Sequence, residues 1–318
     1  MAHNAPGKHH RRGMTLADLF RRFPDDASAE AWIIEQRWPG GVQCPHCESD
    51  RVQDGARHPS QRFRCRDCGK RFSPRTGTVM ADSNIGYQNW AIAVYAVLTN
   101  LKGVSSMKLH RDLGITQSSA WFLLHRIREA WNSTEAEPFA GPVEADETFV
   151  GGRAKNMHAK RRREAITGRG PVNKTAVVGI KDRATNRVAA APVADTSARS
   201  LVPFVASRTA EGADVFTDEH GSYKPLASLG YCHAAVAHGA REYVRGPVHT
   251  NGIESLWSMF KRGYIGTYHH MSEAHTHRYV NEFTGRHNIR PLDTEKQMAS
   301  VCRNMVGKRL KYDDLVAA

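Results

Sequence analysis

No run in this sequence approaches the roughly 18 apolar residues that a membrane-spanning helix needs, and residues 1–13 are polar and basic without the apolar centre of a secretory signal. Neither a membrane anchor nor export is therefore expected, and the chain reads as cytoplasmic. No internal repeat of fixed period is present, which excludes a stacked-repeat architecture. Acids are in deficit: 32 Asp and Glu stand against 45 Lys and Arg, a formal charge of +13. Such an excess favours polyanionic partners, because each Lys or Arg that contacts a phosphate releases a condensed counterion. Charge alone decides nothing, since solubility is served equally well. Cysteine is sparse but patterned. Four of the six (Cys44, Cys47, Cys65, Cys68) fall in two tight pairs, and Cys232 and Cys302 stand apart. Without an export signal that pattern favours a metal over disulfides.

The 318 residues allow two or three domains, and the 40% hydrophobic fraction is that of an ordinary globular chain. Residues 1–13 read as a flexible basic tail. Residues 14–82 hold a helical lead-in (16–36) and the cysteine pairs. Residues 83–135 are helical throughout. Residues 140–290 alternate strand-like and helix-like segments, and 291–318 read as a polar C-terminal tail. Strands are expected at 143–150, 175–181, 187–194 and 213–217, and helices at 197–207, begun by Ser197 or Ser200, and at 251–262. Three adjacent strands, a helix, another strand and another helix point to a mixed α/β domain with a central sheet.

Each cysteine pair has the C-x₂-C spacing that presents two thiolates to one tetrahedral Zn²⁺, and 17 residues separate the pairs. The segment between them suits a β-hairpin, so a zinc ribbon is expected, with Cys44, Cys47, Cys65 and Cys68 closing the shell around a structural ion. Downstream, an apolar helix (90–101) is followed by Gly103, then Ser105 or Ser106 as the cap of a second helix. Gly114 supplies a turn, and Thr116 caps a third helix over 117–131. This order matches a helix-turn-helix whose last helix enters a DNA groove, although an ordinary αα-hairpin has the same periodicity. On that helix's expected outer side lie Gln117, Ser118, Ser119, His125, Arg126 and Arg128. Gln117, Ser118 and Arg126 are the candidate DNA contacts, and a fragment ending near residue 135 is expected to bind DNA unaided.

The chemistry is expected further on. In the strand around Val143-Glu-Ala-Asp-Glu-Thr148, alternation turns Val143, Ala145 and Glu147 one way and Glu144, Asp146 and Thr148 the other. An acid in mid-strand is costly unless a cation sits nearby. Asp218 ends another strand, and Glu254 lies early in a helix. Between Asp146 and Asp218 are 71 residues, and between Asp218 and Glu254 are 35.

This placement resembles the DDE transposases and integrases. The wording Val143-Glu-Ala-Asp-Glu-Thr-Phe-Val-Gly-Gly152, then His249-Thr-Asn-Gly-Ile-Glu-Ser-Leu-Trp257, then Lys261-Arg-Gly263 and Gly266-Thr-Tyr-His-His270, is similar to bacterial insertion-sequence transposases that carry an N-terminal zinc ribbon. The likeness spans residues 40 to 290. It implies a multidomain α+β protein: zinc ribbon and helix-turn-helix, followed over 140–290 by an RNase H-like α/β catalytic domain with a mixed central sheet. It further implies that Asp146, Asp218 and Glu254 converge on two Mg²⁺ or Mn²⁺ ions, and that Lys261, two helical turns after Glu254, contacts the element end. Asn251 is the alternative third ligand. Glu254 is preferred because a carboxylate binds Mg²⁺ better than an amide.

Trp257 is a candidate for stacking on an unpaired base, or a core residue. Asn251 and His249 are candidates for DNA contact or for supporting the metal ligands, Arg262 is a candidate for DNA contact, and Glu147 and Glu219 read as solvated or supporting acids. Seven Lys or Arg and one Glu in 153–169 suggest a loop that clamps DNA backbone through Arg153 and Lys155, or a plain solvated loop. The partners expected are the element's terminal inverted repeats and target DNA, engaged by a homo-oligomer associated with the nucleoid. A structure-specific nuclease on the same fold and a domesticated DNA-binding regulator are the alternative functions.

Overall fold

The structure, a computed structural model, describes residues 11–58, 60–132, 137–152, 157–160, 163 and 174–317. The chain divides into two units, Met1–Asn132 with Ile289–Ala318, and Ser133–Asn288. The first unit opens with α1 (Leu16–Arg22) and α2 (Asp26–Arg37), each started by a reciprocal capping box, Thr15 with Asp18 and Asp25 with Ser28. One helical lead-in was expected here. Two form, and Pro24 lies between them, where its ring and missing N–H cannot continue the first. Three short antiparallel strands follow, β1 (Val52–Gln53), β2 (Phe63–Cys65) and β3 (Arg71–Phe72), in the order β1-β2-β3. Phe63 and Phe72, with ring centroids 5.4 Å apart, back this ribbon together with Trp38.

Helices α3 (Tyr87–Thr99), α4 (Ser106–Leu113) and α5 (Gln117–Glu129) complete the run. Of the two caps the sequence offers for α4, Ser105 is the one used, and Thr116 caps α5. Ser105 accepts from the Lys108 N–H at 3.2 Å and Thr116 from the Ser119 N–H at 3.1 Å. Gly114 ends α4 at φ +65°, a conformation that side chains with a Cβ rarely adopt.

The C-terminal residues correct the expectation of a tail. They form helices over Thr294–Asn304 and Tyr312–Val316. Met298, Val301, Cys302 and Met305 are buried in the same cluster as Trp32, Trp90, Leu109 and Ile127. Thr78 bridges Val306, Arg309 reaches Asp82 at 2.5 Å, and Tyr312 packs edge-on against Phe122. The segment reads as polar because only one stripe of each short helix is apolar, and a stripe needs a partner surface to count as core.

The second unit is built on β4 (Val143–Val150), β5 (Thr175–Asp182), β6 (Val188–Val193), β7 (Asp214–Asp218) and β8 (Cys232–Val236). The order is β6-β5-β4-β7-β8. Pairing is antiparallel between β4 and β5 and between β5 and β6, and parallel between β4 and β7 and between β7 and β8. Strand β8 was not anticipated, because Cys232, His233, Ala234 and Ala235 give a weak β signal.

One face packs Val143, Ala145, Val178, Ile180 and Val215 against Leu201, Phe204 and Val205 of α6 (Ala198–Ala206). The other packs Val150 and Val177 against α7 (Asn251–Gly263) and α8 (Glu273–Ile289), through Ile253, Leu256, Trp257, Phe260, Tyr279 and Phe283. Strand alternation thus sends Glu144 and Asp146 to the α7 side and Glu147 to the α6 side. Among the described residues no helix is long and apolar enough to cross a membrane.

Ending the chain at Arg290 tests the role of the last segment. Besides Ala299 and Cys302, it removes five large buried apolar side chains (Met298, Val301, Met305, Leu310, Leu315). At about 1.5–3 kcal/mol each, their loss is on the order of a whole domain's stability. The shortened chain should show no cooperative melting transition for the first unit. A transition retained near that of the full chain would contradict this, and a fragment ending near residue 135 would lack the same buried side chains.

Candidate functional site

The four paired cysteines come together. Cys44 and Cys65 each open a tight knuckle, with the Cys44 N–H bonded to Ser49 O and the Cys65 N–H to Lys70 O, both at 2.9 Å. Each knuckle turns through a left-handed residue, Glu48 at φ 61° and Gly69 at φ 70°. The sulfurs lie 3.7 Å apart for Cys44–Cys68 and 3.6 Å for Cys47–Cys65, and all four are within 4.8 Å of one another. A tetrahedron with Zn–S bonds of about 2.3 Å has S–S edges of about 3.8 Å, so the donor set fits one Zn²⁺. The Cys68 N–H, 3.5 Å from Cys65 Sγ, helps bring that thiol down to about 6.

On the sheet, Val143 pairs with Val215 and Glu144 with Phe216. The pairing ends there, and the same direction of the two strands leads on toward Asp146 and Asp218, whose charges feel one another. In parallel strands, residues at matching offsets from a pair project from the same face, here the face under α7. Glu254 lies in the first turn of α7. The Thr250 hydroxyl donates to Glu254 Oε1 at 2.7 Å, and His238 Nε2 is 3.9 Å from the same oxygen.

Asp146 has no cationic partner among the described residues. Burial above all, then the negative charges of Glu147, Asp218 and Glu254, push its carboxyl up to about 8. The three acids therefore share one electrostatic neighbourhood. Among the described residues, though, only the cysteines bring three or more ligand atoms within 4.8 Å of one another. Glu147, on the opposite face, accepts from the Tyr223 hydroxyl at 2.7 Å. It too is raised, chiefly by burial.

Other candidates are placed as follows. Lys261, Arg262 and Asn251 are exposed on α7, and Arg262 is hydrogen-bonded to Ser258 at 3.0 Å. Gln117 and Ser118 are exposed at the start of α5, with Gln117 Nε2 bonded to Ser106 Oγ at 2.8 Å. Two candidates are corrected. Arg126 is only 8% exposed, with its guanidinium over the Phe122 ring, and His125 and Arg128 are buried as well. Trp257 is 4% exposed and seats its ring against Gly179, so a base cannot stack on it. Helical spacing put His125, Arg126 and Arg128 on the outer side of α5, and only packing showed that side to be covered there. Arg153 and Lys155 lie outside the described residues. His238 and Thr250, which touch Glu254, carried no signal in the sequence because nothing local ties their positions to the helix they meet.

Two family models match the chain. The transposase zinc-ribbon domain covers residues 24–71, including both cysteine pairs. The ISXO2-like transposase domain covers residues 138–288, including Asp146, Asp218, Glu254 and Lys261. A relative from Halobacterium salinarum, described as an uncharacterized protein in transposable element ISH50, is 27% identical over 277 residues. The alignment covers 85% of this chain and 93% of that protein.

Elemental analysis should find one zinc per chain, and Cys65→Ser should lower both zinc content and melting temperature; purified protein devoid of zinc would rule the centre out. A second expectation concerns pH. The folded chain tolerates the Asp146 carboxylate less well than the unfolded chain does. Without added divalent cation, its contribution is therefore least unfavourable below about pH 4 and grows costlier as pH rises through about 8. Asp146→Asn should flatten that part of the stability profile in thermal melts between those limits. An identical slope in the variant would show that Asp146 is not the group responsible.

Proposed function

The chain belongs to the insertion-sequence DDE transposases that carry an N-terminal zinc ribbon, and from that premise we propose that it binds the terminal DNA of a mobile element, cleaves it and joins it to a target. The observation that carries this reading is the parallel pairing of β4 with β7 through Val143–Val215 and Glu144–Phe216, which runs toward Asp146 and Asp218 on the face that α7 covers with Glu254 in its first turn. We read the five-stranded mixed sheet with helices on both faces as RNase H-like.

The acids offer hard oxygen donors, which suit Mg²⁺ or Mn²⁺, and the crowding of negative charge around the cation-free Asp146 fits a divalent pair. Bound there, two such ions would supply Lewis-acid activation of water or a 3′-hydroxyl and stabilise the leaving 3′ oxygen. The chain's own residues hold the frame. Asp146 and Asp218 are fixed by strand pairing. Thr250 orients Glu254 through its hydroxyl, and Lys261, exposed two turns later on α7, is available to a phosphate of the element end.

DNA recognition we assign to the first unit. There α4, the Gly114 turn and α5 serve as a helix-turn-helix, with Gln117 and Ser118 facing the groove from the polar start of α5. The structural zinc keeps the ribbon folded beside it, and copies of the chain act together on the two ends. The domain scheme proposed is ribbon (14–82), helix-turn-helix (83–135) and catalytic domain (140–290), with the C-terminal helices completing the DNA-binding unit.

A labelled terminal-repeat duplex, incubated with Mg²⁺ and target DNA, tests the proposal. Cleaved and joined products should both form. Asp146→Asn, Asp218→Asn and Glu254→Gln should each abolish both products while leaving terminal-repeat binding intact, and Asn251→Ala should weaken activity less. Joining by Glu254→Gln but not by Asn251→Ala would make Asn251 the third ligand. Cleavage without joining would make the protein a nuclease.

A further inference from the structure

Glu144 lies two positions before Asp146 on the same face of β4 and is 2% exposed. Its carboxylate is fully engaged. Oε1 accepts from Arg183 Nε at 2.7 Å and lies 3.5 Å from His249 Nδ1, and Oε2 accepts the backbone N–H of Ile253 at 2.9 Å. Ile253 is the third residue of α7 and the neighbour of Glu254. The first N–H groups of a helix have no partner within it and usually find one in the residue just before. Here Thr250 makes no side-chain cap and instead donates to Glu254. The cap comes from a strand 109 residues earlier in the chain.

Arg183 spreads the connection. Its Nη2 donates to His249 O at 2.7 Å and meets His249 Nδ1 at 2.9 Å, and it also hydrogen-bonds the Pro247 carbonyl. The guanidinium carbon sits 4.7 Å from the centroid of the Phe216 ring on β7, two residues before Asp218. The pair thus touches all three elements that carry Asp146, Asp218 and Glu254. Gly252 permits the approach, since a Cβ there would stand 2.6 Å from Glu144 Oε2 and 2.7 Å from Lys181 Nζ. A buried ion pair is seldom worth more to stability than apolar side chains of the same volume. Its placement, not its contribution to stability, is what needs explaining.

We propose that Glu144 and Arg183 form a positioning pair that sets the first turn of α7 against β4 and β7, and so governs how tightly Asp146, Asp218 and Glu254 hold divalent cations. This rests on the reading of those three acids as the cation-binding set. Glu144 itself is not a ligand, because both its oxygens are occupied by protein donors.

The test uses the full chain with Glu144→Gln, which keeps the shape and loses the charge, and Gly252→Ala, which disturbs the same contact from the helix side. Mn²⁺ binding is measured by calorimetry, and cleavage of the terminal-repeat duplex is followed as Mn²⁺ is raised. Both variants should melt cooperatively and bind the duplex as the parent does. Both should need about tenfold more Mn²⁺ for half-saturation, within the roughly 10–100-fold effect of groups that orient metal ligands, and excess Mn²⁺ should restore most of the rate. A purely structural role would reduce the folded fraction without moving the half-saturation point of what remains. Half-saturation unchanged in both variants, or loss of folding in Glu144→Gln, overturns the proposal. If Asp146→Asn still binds Mn²⁺ and cleaves, the fault lies in the assignment of the three acids. If Asp146→Asn is dead and Glu144→Gln is unaltered, only the positioning role fails.

Discussion

A carboxylate buried or half-buried in the middle of a sheet must find a positive charge or a hydrogen-bond donor, and β4 carries three of them in four consecutive positions. Much of the second unit can be understood as the answer to that demand. Glu144 is met by Arg183 and by the open end of a helix, and Glu147 by the Tyr223 hydroxyl on the opposite face. Asp146, between them, has no cationic partner among the described residues. Two of the three requirements are met by described residues, and the third is the one that the proposed divalent cations would meet.

The seat of α7 depends on a second contact of the same precision. Asp146 stands opposite Gly179 across the β4–β5 ladder, and the Trp257 ring fills the space that any larger residue would occupy, 2.5 Å from where a Cβ would stand. Trp257 is therefore a core residue beneath α7. It sets the height of the helix over the sheet, while Glu144 sets the position of its first turn, one residue away from Glu254.

In the first unit the dependence runs through chain connectivity. The ribbon is too small to bury much of its own surface, so it relies on four thiolates and the Phe63–Phe72–Trp38 cluster. The helices beside it close their core only when Met298, Val301, Cys302 and Met305 return from the far end of the chain. A unit assembled from both ends of a sequence is intact only when the whole sequence is present.

Legibility followed the range of the forces involved. Local chemistry was plain: the C-x₂-C pairs, the caps at Ser105 and Thr116, the left-handed Gly114 and the extent of β4 depend on residues a few positions apart. The spacing of Asp146, Asp218 and Glu254 was readable as a resemblance, and the matching family models agree with the zinc-ribbon transposase it suggested. Strand β8 was hidden by its alanines, the C-terminal helices by their narrow apolar stripes, and the burial of Arg126 and Trp257 by a periodicity that marks a face without saying what covers it. The sequence by itself determined the paired cysteines, the turn at Gly114 and the strand that carries Asp146. Only the tertiary structure decided that Glu144 is a strut and Asp146 is not, because two acids of one strand face differ solely in what the rest of the fold brings to them.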